Sequence, residues 1–411
     1  MERWLARSER VDALLEGLPS ILTGQERARA QQLFYGVVRW SSRLEAALDG
    51  LMARPPRTKV RAVLLIAGFE ILDGGEPAKV IHHAVEKAKT VCSAKEAGLV
   101  NAVARKLAAR LKEKPADLAT EFAHPEWLVA RWTQQFGAAT VRKLLEWNQQ
   151  PAPVYVRWRK EGAAPDFLAP TKWPGFYEVK AGQWDEIRRL ANAGALYVQD
   201  PSTRLCLELL APQAGEIILD ACAAPGGKSL FIADTMKSGK VVSLDEPASA
   251  GKPGEPGKVD LRLVRLKENL SRAPAGVDVA LVEADLRKVN TVFYRNLNLP
   301  ESYDAVLLDA PCSNTGVMRH RIDVKWRLQD GDFARHAEQQ LELLHAAARL
   351  VKPGGRLVYS TCSIDAQENE QVIKAFFDSR AGGPFKLEKQ VLAYPWKDGH
   401  DGAGAFLLKK G

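Results

Sequence analysis

The chain has 411 residues, 46% hydrophobic and 26% charged, with a formal net charge of +8. That composition lies in the ordinary globular range, and the length exceeds one typical core, so two or three domains are expected. No apolar run approaches the ~18–20 residues of a membrane span, and the opening MERWLARSER is amphipathic and charged instead of basic then apolar, so a cytoplasmic protein with no membrane partner is expected.

Five cysteines, Cys92, Cys206, Cys222, Cys312 and Cys362, form an odd, sparse set without CxxC or Cys/His ligand spacing. This argues against a disulfide framework and a zinc site, so no metal is expected and any cysteine that matters acts as a thiol. The net positive charge fits a polyanionic partner. It is concentrated early, with 20 Lys and Arg against 15 Asp and Glu over residues 1–122.

In chain order, apolar residues first recur at helical spacing, as in Val11, Leu14, Leu15, Leu18 and in Val60, Val63, Leu64, Ala67, Ile71. Residues 1–122 are therefore predicted to be an all-α domain, punctuated by turns at Pro55-Pro56 and Asp73-Gly74-Gly75. Residues 123–195 mix β-prone pieces (154–158 and 175–180) with helix-like ones and several prolines, and read as a small α+β connector. From residue 196 to 411 apolar strands (216–220, 240–245, 277–283, 305–309, 356–360) alternate with amphipathic helices, the pattern of a doubly wound parallel sheet. Residues 246–258, EPASAGKPGEPGK, interrupt it as a Pro/Gly-rich flexible surface insertion.

Strand 216–220 runs into Cys222-Ala223-Ala224-Pro225-Gly226-Gly227-Lys228 and then a helix. In an open α/β sheet ligands bind beyond the carboxyl ends of the strands, where a glycine turn lets a cofactor approach the backbone. GxGxxG is absent, and a phosphate loop would need Gly where Cys222 stands, so neither a dinucleotide nor ATP is favoured. Asp245 and Asp285 follow at the ends of the next two strands. Such acids accept hydrogen bonds from ribose hydroxyls and face an adenine amino group, although a lone Asp there is as readily a helix cap.

The most specific feature is a pair of thiols at strand ends, Cys312 in DAPCSNTG and Cys362 in YSTCSI. If their strands are parallel neighbours, both lie at one sheet edge beside the cofactor. Cys92, Cys206 and Cys222 read instead as small hydrophobes. Methyl transfer to carbon 5 of cytosine can use such a pair. A thiolate adds to carbon 6 and makes carbon 5 nucleophilic, a carboxyl such as Asp309 stabilises the adduct at N3, and a second thiol assists proton loss and release.

CAAPGGK, DAPCSNTG and YSTCSI together resemble motifs I, IV and VI of bacterial 16S rRNA cytosine-C5 methyltransferases of the RsmB type (also called Fmu or Sun), within the wider Nop2/NSUN group. The resemblance implies that Cys362 is the nucleophile and that Cys312 serves release of the methylated RNA. It also implies that Cys222 to Lys228, Asp245, Asp285 and Asp309 contact S-adenosyl-L-methionine, with product S-adenosyl-L-homocysteine, and that Asp309 and Lys228 lie close to the target base. FYGVVRW, IHHAVEKAKT and LVNAVARKLA resemble a NusB-like RNA-binding domain, in which Arg39, Asn101 and Arg105 are candidate RNA contacts.

Three departures stand out. The long insertion allows Asp260 to compete with Asp245 as the ribose acid. Ile322 stands where proline is common after motif IV. The closing run 401–406 lacks a double aromatic.

The expectation is thus a three-part monomer: a NusB-like helical domain, a small RRM-like connector and a class I, Rossmann-like methyltransferase domain acting on unpaired cytosine in 16S rRNA or an assembly intermediate. The rivals are the same chemistry on tRNA or another rRNA site, and a non-catalytic RNA-binding assembly factor.

Overall fold

A computed structural model describes residues 1–7, 9–247 and 260–411; most of the expected insertion, residues 248–258, lies outside them. The chain divides into two compact units, Met1–Pro151 with Met318–Asp330, and Ala152–Val317 with Gly331–Gly411.

The first unit is α-helical, as the periodicity predicts. Its longest helices are Gly24–Arg39, Thr58–Leu72, Pro77–Val91 and Ala94–Arg110. Thr23 with Glu26 and Ser93 with Glu96 form reciprocal capping boxes, and Pro77 occupies a first-turn position where its missing N–H costs nothing. Leu64 and Leu65 lie in a core with Val37, Leu44, Val100 and Leu107. A Cβ at Gly36 would overlap the Phe69 ring, so glycine permits these two helices to close. The helices Glu126–Phe136 and Ala138–Gln149 also belong to this unit. The helical part of the predicted 123–195 connector therefore clusters with the N-terminal helices, and its strands with the second unit.

Met318–Asp330 joins the first unit from far along the chain. Ile322 is buried among Trp4, Val11, Leu15, Phe34 and Val38, which gives an apolar side chain its reason at that position. Trp326 Nε1 donates to Val38 O at 2.8 Å and Lys325 Nζ to Arg39 O at 2.9 Å. These carbonyls lie in the last turn of the helix Gly24–Arg39, beyond the reach of the regular i+4 ladder, so the segment supplies side-chain donors to the helix end.

In the second unit, β1 (Tyr155–Trp158), β2 (Leu168–Pro170), β3 (Phe176–Val179) and β4 (Leu196–Val198) form an antiparallel sheet in the order β2-β3-β1-β4. The larger sheet contains β5 (Ile217–Ala221), β6 (Gly239–Asp245), β7 (Val277–Glu283), β8 (Tyr303–Asp309), β9 (Val351–Thr361), β10 (Phe385–Ala393) and β11 (Ala403–Lys410). Its order is β10-β11-β9-β8-β5-β6-β7. The five predicted strands are present and mutually parallel. Successive residues face opposite sides and both sides are buried: Leu219, Leu308 and Tyr359 enter one cluster, and Ile218, Leu307 and Val358 the other. Continuous apolar runs are the result.

Two further strands, beyond the five expected parallel ones, extend the sheet by antiparallel pairing. β11 runs antiparallel to β9, and β10 antiparallel to β11. Residues 394–402, between β10 and β11, suffice for a reversal, whereas a parallel return needs a crossover of about a dozen residues or more. Sequence order switches sides between β5 and β8, which opens a ligand crevice at the carboxyl ends. Among the described residues, no helix is long and apolar enough to cross a membrane.

Lys325 is only 2% exposed, and burial, with the nearby Arg39 charge, pushes its ammonium well below the ordinary range. Between that lowered value and ~10.4 the unfolded chain holds a proton that the folded chain lacks, so stability rises with pH across this window and levels off above it. Lys325→Met is expected to flatten that rise. Urea midpoints of both proteins at about pH 7 and about pH 10 check it; an equally steep rise in the variant would refute the assignment.

Candidate active site

The loop after β5 is shaped by close packing. Cys222 has φ +63° and Gly226 φ +98°, and Gly227 opens the helix Gly227–Met236. A Cβ at Gly226 would come within 2.9 Å of Leu266 Cδ1, and one at Gly227 within 2.7 Å of Tyr197 Cε1. Neither position has room for a side chain. Ala223 N–H donates to Leu244 O at 2.9 Å, and Ala224 N–H to Asp245 Oδ2 at 2.8 Å. Asn269 Nδ2 holds Pro225 O at 2.7 Å. Residues 222–228 thus form one fastened turn against the end of β6.

The strand-end acids differ in their partners. Asp245 is buried beside the loop, and burial raises its pKa against the pull of Ala224 N–H and Arg262. Asp260, its rival from the sequence, caps the helix Leu261–Leu270 and pairs with Arg262 at 2.8 Å. Asp285 is held by Arg287 through its backbone N–H at 3.0 Å and its guanidinium at 2.8 and 3.0 Å. Those bonds bring its pKa down to about 2. Lys228 Nζ lies 2.6 Å from Asp309 Oδ2. Burial alone would lower the Lys228 pKa, yet the Asp309 charge outweighs it and raises it, so Lys228 is a fixed cation at neutral pH.

Asp309 ends β8, and Ser360, one residue before the end of β9, is its partner in register. The two following loops meet: Cys312 Sγ and Cys362 Sγ are 3.1 Å apart. Cys362 Sγ also lies 3.3 Å from Asn314 Oδ1. Cys312 is 7% exposed and Cys362 half-buried. The contact with Cys362, then burial, and then the charges of Cys362 and Glu368 push the Cys312 thiol well up. Burial lifts Cys206 to about 12 and Cys222 well above its ordinary range, so neither is a ready thiolate.

All the residues singled out at the strand ends therefore lie along one edge of one sheet. The candidate RNA contacts in the first unit are differently placed. Arg39 donates to Arg319 O at 3.3 Å and is brought down to about 10 by burial. Asn101 and Arg105 face each other at 3.4 Å on an exposed helix face. The sequence marks Asp220 as the first of three acids at successive strand ends but gives no sign of its burial, and it singles out neither Asn314 nor Glu368, whose polar letters carry no spacing signal.

Comparison with known proteins follows the same division. The family described as 16S rRNA methyltransferase RsmB/F matches residues 207–392, and the NusB family matches residues 4–109. The protein named ribosomal RNA small subunit methyltransferase B of Serratia proteamaculans is 31% identical over 431 residues, covering 98% of this chain and 95% of its own. Its namesake from Klebsiella pneumoniae is 31% identical over 399 residues, covering 92% and 87%. Among solved structures, PH0851 aligns with a TM-score of 0.74 at 23% identity, covering 95% of this chain and 92% of its own. NSun6 from Pyrococcus horikoshii aligns at 0.55 and 20%, covering 70% and 98%. At those identities the structures speak to the fold.

Asp220 yields a test. It is 0% exposed, accepts from Ser229 Oγ at 2.5 Å, and is pushed up to about 7, chiefly by burial. From about 4 to about 7 the folded chain keeps a proton that the unfolded chain has lost, so stability falls as pH rises, by on the order of a few kcal/mol. Asp220→Asn should remove the fall. Thermal midpoints at about pH 5 and about pH 8 decide it, and an unchanged pH dependence in the variant would count against a buried, protonated Asp220.

Proposed function

The chain belongs to the ribosomal RNA small subunit methyltransferase B family, and from that premise we propose that it methylates carbon 5 of a cytosine in 16S rRNA through a covalent cysteine adduct. It is an S-adenosylmethionine-dependent RNA methyltransferase with a NusB-like N-terminal domain. The observation that supports the cytosine chemistry is the 3.1 Å contact between Cys312 and Cys362, on adjacent parallel strands and beside Lys228–Asp309.

S-adenosylmethionine supplies an electrophilic sulfonium methyl group. Residues 222–228 with Asp245 and Asp285 are the groups that would hold it, the acids offering acceptors for ribose hydroxyls and the adenine amine. Asp245 and Asp285, beyond the ends of paired strands and with Asp245 bonded to the loop, fit a nucleoside that brings hydroxyl and amine donors.

The Cys362 thiolate donates an electron pair to carbon 6 of the ring. The carbon 5–carbon 6 π pair then moves to carbon 5, which takes the methyl group. Asp309, fixed by Lys228, interacts with the ring at N3 and stabilises the adduct. Cys312 assists the last stage: the carbon 5 proton passes to a base such as water, the carbon 5–hydrogen pair re-forms the ring double bond, and the carbon 6–sulfur pair returns to Cys362 as thiolate. A base in a helix hides its ring face, so the substrate is unpaired or flipped RNA, naked or within an assembly intermediate. We place this activity in the cytoplasm, in a monomer.

Labelled S-adenosylmethionine and unmodified 16S rRNA, incubated with wild type, Cys312→Ala and Cys362→Ala and resolved on a denaturing gel, test the reading. Wild type should turn over, Cys312→Ala should accumulate labelled protein–RNA adduct, and Cys362→Ala should lose methylation roughly a thousandfold or more. Methylation by Cys362→Ala would overturn the nucleophile, and activity on tRNA alone would overturn the substrate.

A further inference from the structure

The residues flanking Cys312 are anchored in a buried polar network that the two-thiol chemistry leaves unexplained. Glu368, at the end of a 3-10 turn after Cys362, is 0% exposed. Its Oε1 accepts from Ser313 N–H at 2.8 Å and from Gln340 Nε2 at 3.0 Å, and its Oε2 accepts from Ser313 Oγ. Gln340 Nε2 also donates to Pro311 O at 2.9 Å. One carboxylate and one amide thus hold the residues on both sides of Cys312. Glu368 is tied in turn to the Cys362 strand: Tyr359 OH donates to its carbonyl at 2.6 Å. Neighbouring Asn369 accepts from Thr361 Oγ1 at 2.8 Å and donates to Ser363 O at 2.9 Å.

Among the described residues no cation bonds the Glu368 carboxylate; its donors are an N–H, a hydroxyl and an amide. A buried carboxylate carries a heavy desolvation cost that a neutral amide would avoid. The carboxylate is bonded to the N–H of the residue that follows Cys312, and two sulfurs in contact share at most one anion. A fixed charge beside Cys312 sends that anion to the other sulfur.

We propose that Glu368 is the positioning residue of the thiol pair: it fixes the Cys312 loop against Cys362 and, through its charge, makes Cys362 the sulfur that carries the thiolate. This rests on the reading of Cys362 as nucleophile. Cys362 then gives its electron pair to carbon 6 while Cys312 keeps its proton through the addition step. Other ionisable groups on the elements around the pair include Asp309 with Lys228, Asp365, whose Oδ2 accepts from Thr315 Oγ1 at 2.7 Å, the buried Tyr359, and His400 and Asp401, which precede the Gly402 packed on Gly316. Of all these groups, Glu368 is the one bonded to Ser313, which follows Cys312.

Two readouts separate charge from packing. Alkylation of Cys312 by iodoacetamide, followed against pH in Cys362→Ser, should move its midpoint down by about one pH unit on adding Glu368→Gln, and Glu368→Asp should restore it. Single-turnover methylation should slow about tenfold with Glu368→Gln when Cys312 is present, and far less in the Cys312→Ala background, where nothing competes for the anion. An unmoved alkylation midpoint, or equal slowing in both backgrounds, would leave Glu368 a merely structural residue and overturn the proposal. If Cys362→Ser itself methylates RNA, the nucleophile assignment has failed, whatever Glu368 does.

Discussion

Parallel pairing of β8 with β9 is the constraint on which the site depends. Asp309 opposite Ser360, closed by the bond from Ala310 N–H to Ser360 O at 2.8 Å, sets how far each strand reaches before its chain turns. Side chains alternate faces with a period of two, so a slip of one residue would reverse every apolar contact of β9 and separate the two sulfurs. The register is secured from the other side too, since β9 pairs with β11 from Arg356–Lys409 to Thr361–Gly404. Gly404 has no room for a Cβ because the Asn369 carboxamide lies against it. Gly316 is similarly pressed between Gly402 O and Cys362 O. The antiparallel strands at this end of the sheet are therefore part of how the thiol loops are placed.

Around that edge, chemically identical carboxyls have different fates because their partners differ. Asp220 is desolvated with one hydroxyl donor and holds its proton up to about 7, whereas Asp285, clasped by Arg287, lets go at about 2. Asp309 owes its place to Lys228, and Lys228 its charge to Asp309. Charge pairs strengthen in a low-dielectric crevice, and unpaired ones are penalised there. The thiols differ in the same way, since the more buried one is followed by Ser313, which the Glu368 carboxylate holds.

The helical unit answers a different constraint. A helix end leaves carbonyls without partners, and those of Val38 and Arg39 are met by Trp326 and Lys325, from a segment that follows the Cys312 loop in sequence. Ile322 completes that docking by filling the apolar cluster around Phe34 and Val38. Burial in that cluster gives an apolar side chain at this residue its packing role.

Much of this was legible in the residues themselves. Helical periodicity over residues 1–122 and unbroken apolar strands such as ILD and AVLLD report burial directly, because period and burial are local consequences of backbone geometry. The loop 222–228, Asp245, Asp285, Asp309, Cys312 and Cys362 were legible because strand ends in an α/β sheet are where ligands bind. Tertiary structure alone decided that β10 and β11 run antiparallel and that residues 126–149 and 318–330 cluster with the N-terminal helices. It also decided that Ser313, Gln340 and Glu368 meet and that Asp220 lies in a dry interior. Each of these depends on partners distant in the chain. A polar letter such as Glu or Asp states its charge but not its neighbours, and burial among those neighbours decides whether the charge is kept, neutralised or passed to the next sulfur.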